Sequence, residues 1–212
     1  MSSLSFPTDR QSLLIADASV VINLNATLRA AEVIRALPNP VAVTINSFSE
    51  LRGGLSNGHK DAEQLQDLVA RGIVNVVELG VVGAEIYGSL IEGFAARTLD
   101  DGEAATIGFA QQCGGVAVID ERKARSICLS SFPDLSVAST VDLLLHPEVE
   151  AALGHLGQRE AIFNALRFAR MRVPKEQIEK VVDLIGPEQA AICTSLPRVV
   201  RTVPSMLSTK TG

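Results

Sequence analysis

The stretch "VAVIDERKAR", Val116 to Arg125, decides the fold. Four apolar residues run directly into Asp120 and Glu121, and Arg122, Lys123 and Arg125 follow within about one helical turn. An apolar run this short, bounded by charge, reads as a buried strand rather than a helix. The charge therefore gathers where a strand ends and the chain turns into a helix. The same pattern stands upstream, where "SLLIAD" (Ser12 to Asp17) is another short apolar run ending in a carboxylate. Behind it, "ASVVINLNATLRAAEVIRAL" carries Val21, Leu24, Leu28, Ala31 and Leu37 at nearly helical spacing, which predicts one helix.

Working outward, "PNP" (Pro38 to Pro40) breaks the chain. The β-branched "VAVTI" (Val41 to Ile45) then predicts a second strand before the helical "NSFSELRGGL". Helical spacing recurs from Lys60 to Ala70, "GIVNVVEL" reads as a third strand, and Ala84 to Ala96 reads as helix. Thr98 to Gly115 is a further helix closed by a glycine pair, and it feeds the "VAVID" strand. "LSVAST" (Leu135 to Thr140) supplies a last short strand. Strands alternating with helices predict a three-layer α/β/α sandwich around a mostly parallel sheet, because parallel strands need crossover connections that cover both faces. That unit spans 12–146. From 147 to 212 the pattern is a helical C-terminal extension, with "EAIFNALRFARMRVP" and "KEQIEKVVDLIG" as amphipathic pieces broken at Pro174.

Composition narrows the function. The 212 residues are 47% hydrophobic and 20% charged, ordinary globular usage with one main core expected. A net charge of −5 argues against wholesale electrostatic binding of nucleic acid but leaves room for a local basic groove. The three cysteines, Cys113, Cys128 and Cys193, lack metal or disulfide spacing and read as small core residues. No apolar run of roughly eighteen residues occurs, and "MSSLSFPTDRQ" lacks the basic start and apolar core of a secretory signal, so no membrane partner and a cytoplasmic location are expected. His59, His146 and His155 lie in loop or tail contexts without a partner motif and read as surface groups.

The acids carry the chemistry. Asp17 and Asp120 end strands, Glu50 follows the second strand by five residues, and Glu103 opens the helix that leads into "VAVI". In an open parallel sheet, ligands bind outside the carboxyl ends of the strands. Taken singly, each acid can be a helix cap: "SFSE" (Ser47 to Glu50) and "DDGE" (Asp100 to Glu103) both resemble capping boxes. Taken together, four carboxylates at one edge repel one another unless some protonate or a divalent cation neutralises them. A hard oxygen site for Mg2+ or Mn2+ satisfies that condition.

With those residues in view, "LLIADASVVINL", the Glu50 region, "LDDGEAATIGFA" and "VAVIDERKAR" together resemble the PIN domain. The similarity is to the toxin branch carrying "D-x-S", then "G-E-x-x-x-I-x-x-A", then "I-D-D-R-x-A-R", and it spans roughly Leu13 to Leu145. The resemblance implies a Mg2+- or Mn2+-dependent endoribonuclease, commonly the toxin of a toxin–antitoxin pair. The family's acids map onto Asp17, Glu50, Glu103 and Asp120. Glu121 stands where a second Asp is usual and joins the candidate metal ligands, and "ST" (Ser139, Thr140) stands where "GT" is usual. Asp17 and Asp120 are assigned as direct ligands, and Glu50 and Glu103 as direct or water-mediated ones.

Phosphodiester hydrolysis needs an acidified water, a stabilised leaving oxygen and neutralised phosphoryl charge, which carboxylate-held Mg2+ supplies. Arg122 and Arg125 are candidate phosphate contacts, with an Glu121–Arg125 pair on a solvated helix as the plain alternative. Ser19 is placed to orient a ligand or water, and Thr140 joins the candidate substrate-binding set. RNA, a small antitoxin protein and a second copy of the chain in a homodimer are the expected partners. The competing readings are a catalytically weak PIN-like module that binds protein or nucleic acid, and a receiver-type phosphotransfer domain. The second lacks its lysine, since no Lys occurs between Lys123 and Lys175.

Overall fold

A computed structural model of the chain describes residues 9–54, 60–92 and 98–201. Five strands, β1 (Leu14–Ala16), β2 (Val41–Thr44), β3 (Val74–Val77), β4 (Val116–Val118) and β5 (Ser136–Ala138), form one parallel sheet in the order β3-β2-β1-β4-β5. Ile15 pairs with Ala42 on one side and Ala117 on the other, so β1 is central. Every residue of β1, β2 and β4 is buried, as expected for strands covered on both faces.

The two-residue period of the strands divides the core in two. Leu14, Ala16, Val41, Val43, Val116 and Val118 face one layer of helices. Ile15, Ala117 and Ile119 face the other. The first layer holds α1 (Ala18–Ala26), α2 (Ala30–Ala36) and α4 (Asp61–Ala70), and the second holds α5 (Val81–Ile91), α6 (Asp101–Cys113) and α7 (Arg122–Ser131). Helix α3 (Ile45–Gly53) follows β2 directly and packs on α6. The chain therefore winds one way through β1, β2 and β3, then crosses to the opposite face to build β4 and β5. Such reversal is what right-handed crossovers demand when strand order changes direction. Beyond β5 lie α8 (Thr140–Leu144), α9 (Pro147–Phe168), α10 (Ile178–Ile185), α11 (Pro187–Ile192) and α12 (Arg198–Arg201). Leu153, Ile162, Leu166, Val181, Ile185 and Leu196 belong to the same apolar cluster as Leu14 and Val118, so these helices close over the sheet's own core.

Local chemistry explains where the elements differ from the expected ones. The predicted single helix after β1 is two, because Leu28 adopts φ 63° between α1 and α2. Thr27 stabilises that break: its hydroxyl donates to the Leu24 carbonyl at 2.6 Å and accepts from the Arg29 amide at 3.0 Å. Helix α6 stops at Gly114, whose φ of 64° suits a residue without Cβ. The predicted break at Pro174 begins earlier, at Arg170 (φ 55°), after α9 has ended at Phe168. The last four residues of the predicted helix ending at Ala96 lie outside the described residues, as does His59. Two of the cysteines are buried as expected, whereas Cys113 at the end of α6 is exposed.

Candidate metal centre

Sheet order reverses between β1 and β4, and the two chain segments leaving them diverge to opposite faces. The crevice at such a switch point is where open α/β sheets bind ligands. A cavity of about 280 Å³ occupies it, lined by Asp17, Glu50, Asp100, Glu103, Asp120 and Glu121, with Ser19 and Asn23 from α1 and 169–172 from the chain after α9.

Each acid is placed by its own local structure. Asp17 caps α1: its Oδ2 accepts from the Ser19 amide at 3.2 Å and the Ser19 hydroxyl at 2.8 Å. Its Oδ1 is buried and has no hydrogen-bond partner. A buried unpaired carboxylate oxygen is costly, so this atom is complementary to a ligand that donates positive charge. Asp120 has the opposite character. Its Oδ1 accepts from the Thr140 amide at 2.8 Å, and its Oδ2 accepts from the Thr140 hydroxyl and from Asn23 Nδ2, the latter at 2.6 Å. Three of its roughly four lone-pair directions are thus taken. Asp120 does not cap α7, whose N-cap is Glu121; it clamps the turn between β5 and α8.

Glu50 does not sit in a capping box. Thr44 caps α3 by accepting from the Ser47 amide at 3.1 Å, which leaves Glu50 well inside the helix and free to reach the cavity. The buried Ser47 hydroxyl lies 3.4 Å from the Gly102 carbonyl and 3.4 Å from Thr106 Oγ1, and these contacts hold α3 against α6. The "DD" pair divides its work. Asp101 turns outward to Asn46 and Tyr87. Asp100 is the N-cap of α6, accepting from the Glu103 amide at 3.0 Å, and it also faces the cavity.

Asp17, Glu50 and Asp100 each present a carboxylate oxygen, and the three oxygens lie within 4.8 Å of one another. Gly102 makes this convergence possible. A Cβ there would stand 2.5 Å from Glu50 Oε2 and 3.0 Å from Asp17 Oδ1. Asp100 does not stand out in the sequence as a candidate ligand, because a capping Asp before a Glu accounts for itself locally. Asn23 was missed because its partner is far away in the chain; its "D-x-x-x-x-x-N" spacing places it one and a half turns into α1, on the face that carries Ser19.

The electrostatics follow from crowding. Burial pushes Asp17 up to about 6, opposed by its Ser19 hydrogen bonds and reinforced by Asp100. Burial and then the charges of Asp17, Asp100 and Asp101 push Glu50 up to about 7. Glu103, itself buried, is pushed up to about 8 by burial, then by Asp100 and Asp17. Burial also raises Asp120, while Thr140, Asn23 and Arg125 hold it down. Such a set is what a divalent cation would neutralise, and the donors are all hard oxygens.

The basic residues of α7 sit elsewhere than the cavity wall. Arg125 donates to the Ile119 carbonyl at 3.2 Å and Lys123 to the Thr98 carbonyl at 2.5 Å, and Arg122 is exposed. Neither Arg122 nor Arg125 lines the cavity, whereas Arg170 and Arg172 do. Thr140 acts on Asp120 rather than on the cavity. Glu121 reaches the rim, where Arg172 donates to its carboxylate. His146 accepts from the Glu148 amide, and His155 lies near Glu150 on the surface; neither joins the acids.

Parallel strands with carboxylates gathered at the switch point define an α/β protein whose acidic cluster could hold a metal ion. The PIN domain family model matches residues 13–187, and the chain belongs to that family. The match runs well past the sheet, through α9 and α10 to the start of α11. No curated protein and no solved structure matches the chain significantly. No helix among the described residues is long and apolar enough to cross a membrane.

Proposed function

We propose that this protein is a Mg2+- or Mn2+-dependent endoribonuclease and the toxin of a toxin–antitoxin pair, acting in the cytoplasm as a homodimer that a small antitoxin protein inhibits. PIN nucleases depend on divalent metal, and the residues here fit one. The observation that carries the reading is the buried, partnerless Oδ1 of Asp17 facing the carboxylates of Glu50 and Asp100. Those three would hold the ion directly. When bound, the metal lowers the pKa of a coordinated water and neutralises phosphoryl charge.

The chain's own residues do the rest. Ser19 fixes Asp17 so that one oxygen is spent on the cap and the other aims into the cavity. Asn23 and Thr140 immobilise Asp120, which keeps about one lone-pair direction for a water on the far side of the cavity. Glu50 and Glu103 hold protons near neutral pH in the metal-free protein, so loading the site releases them. Glu121 serves the rim.

The test is cleavage of a panel of structured and unstructured RNAs in Mn2+, in Mg2+ and in EDTA, by wild type and Asp17→Asn. Metal-dependent cleavage that the variant loses is expected, along with growth arrest on expression of the wild type alone. Equal cleavage in EDTA and Mn2+ would refute the metal mechanism, and absence of both cleavage and Mn2+ binding would leave an interaction module.

A further inference from the structure

The cavity is built almost wholly of acid, yet its proposed substrate is a polyanion. Six carboxylates line it against two cations, Arg170 and Arg172, both from the segment that follows α9. That segment is anchored from within: Met171 between them is 1% exposed, and its amide donates to the Ala165 carbonyl at 3.1 Å. With Met171 turned into the core, the flanking arginines stay exposed on the cavity side.

The two differ in state. Arg172 is paired with Glu121, the N-cap of α7, which ties the segment across the crevice. Among the described residues, Arg170 makes no hydrogen bond or ion pair, although it stands on the wall of a six-carboxylate cavity. Its backbone is also unusual. At φ 55° it holds the position after a helix cap where glycine is the usual occupant, because a Cβ is disfavoured there. A guanidinium is thus placed, at the expense of backbone strain, on the one basic stretch of an acidic site.

We infer that Arg170 is a substrate-binding residue, holding a phosphate of the nucleic-acid strand at the cavity wall, and that Arg172 positions it through Glu121. The inference rests on the nuclease reading of the same cavity. A planar, always charged guanidinium suits bidentate contact with phosphate oxygens, and the partner is the backbone, so the contact is independent of base sequence. Arg172 contributes by orientation: its exposed pair with Glu121 is worth little in stability but sets where the strap crosses.

The experiment uses full-length wild type, Arg170→Gly, Arg170→Lys and Arg172→Ala. Glycine removes the guanidinium while relieving the backbone at that φ, so the variant folds at least as well as wild type. Binding of a fluorescein-labelled single-stranded 20-nucleotide RNA is measured by anisotropy in Ca2+ between about 50 and 200 mM salt, with the RNA's integrity checked on gels. Cleavage in Mn2+ is followed in parallel. Arg170→Gly should weaken binding about tenfold at low salt and flatten the log–log salt dependence by about 0.7, the share of one phosphate contact on a single strand. Its KM for cleavage should rise by a similar factor with kcat little changed. Lysine should restore most of the salt slope, and Arg172→Ala should give a smaller loss of binding. An unchanged slope and affinity in Arg170→Gly, or wild type that binds no RNA, overturns the inference. A fall in kcat alone, with an altered Mn2+-induced melting shift, overturns it as well, since Arg170 would then act on the metal site. Wild type that binds RNA through Arg170 but never cleaves refutes the nuclease reading and leaves this one standing.

Discussion

Replacing Asp17 by Asn should stabilise the metal-free protein at alkaline pH, although it removes a helix cap's charge and a proposed ligand. Asn keeps the oxygen that accepts from the Ser19 amide and hydroxyl, and it caps helices as well as Asp does. What it removes is the buried anion. The Asp17 carboxyl moves from an ordinary 3.8 to about 6 on folding, because burial penalises its charged form. An acid whose folded pKa is raised favours the folded state when protonated. Its contribution is therefore fully present below about pH 4 and is lost as pH rises through about 6. The loss amounts to roughly 3 kcal/mol from Asp17 alone. Glu50 at about 7 and Glu103 at about 8 extend the decline in the same direction, and Asp17 is among the charges raising both. For a chain of this size, roughly 3 kcal/mol corresponds to about 6–12 °C in Tm. Thermal melts in EDTA from pH 5 to 9 read this directly. Wild type should lose Tm across pH 5–8, and Asp17→Asn should fall less steeply and melt well above wild type at pH 8. Added Mn2+ should then raise wild type strongly and the variant little, because only native-state binding stabilises. An Asp17→Asn protein that melts at or below wild type in EDTA at pH 8, or a wild-type Tm that is flat over this range, refutes the reasoning.

Three further outcomes are expected. Asp100→Asn should keep the cap on α6 and so lose only a few tenths of a kcal/mol in stability, while its Mn2+-induced melting shift shrinks; Asp100→Ala should additionally cost about 1 kcal/mol in chemical denaturation. Gly102→Ala should fold, helped by the better helix propensity of alanine, yet its Cβ drives Glu50 and Asp17 apart, so Mn2+ affinity measured by calorimetry should fall sharply; unchanged affinity would show that the two carboxylates do not share an ion. Asn23→Leu leaves buried Asp120 short of a donor and should cost about 1–3 kcal/mol in urea titrations; an unchanged stability would show that the Asn23–Asp120 bond contributes nothing to the fold.

What the sequence determined by itself was whatever a few neighbouring residues enforce. The apolar runs at Leu14, Val41 and Val116 had to be buried strands, and their alternation with helical spacing required a parallel sheet covered on both faces. The acids at the ends of those runs could be named because a strand's last residue and a helix's first turn are adjacent in the chain. Thr44 rather than Ser47 as the cap of α3 was already beyond that reach, since several hydroxyls in "TINSFS" compete for the same amide and packing against α6 selects among them. The convergence itself is tertiary. Whether Asp100 or Asp101 faces the cavity depends on Tyr87 and Asn46, which reach Asp101 from α5 and α3. The clamp of Asn23 and Thr140 on Asp120 joins residues 97 and 20 positions apart. The helices beyond 146 look in sequence like an appendage, because amphipathic spacing shows that a face is buried but not against what. Only the folded chain brings Met171 into the core and so carries Arg170 to the wall of the acid cavity, where through-space charge, not chain neighbourhood, gives it a task.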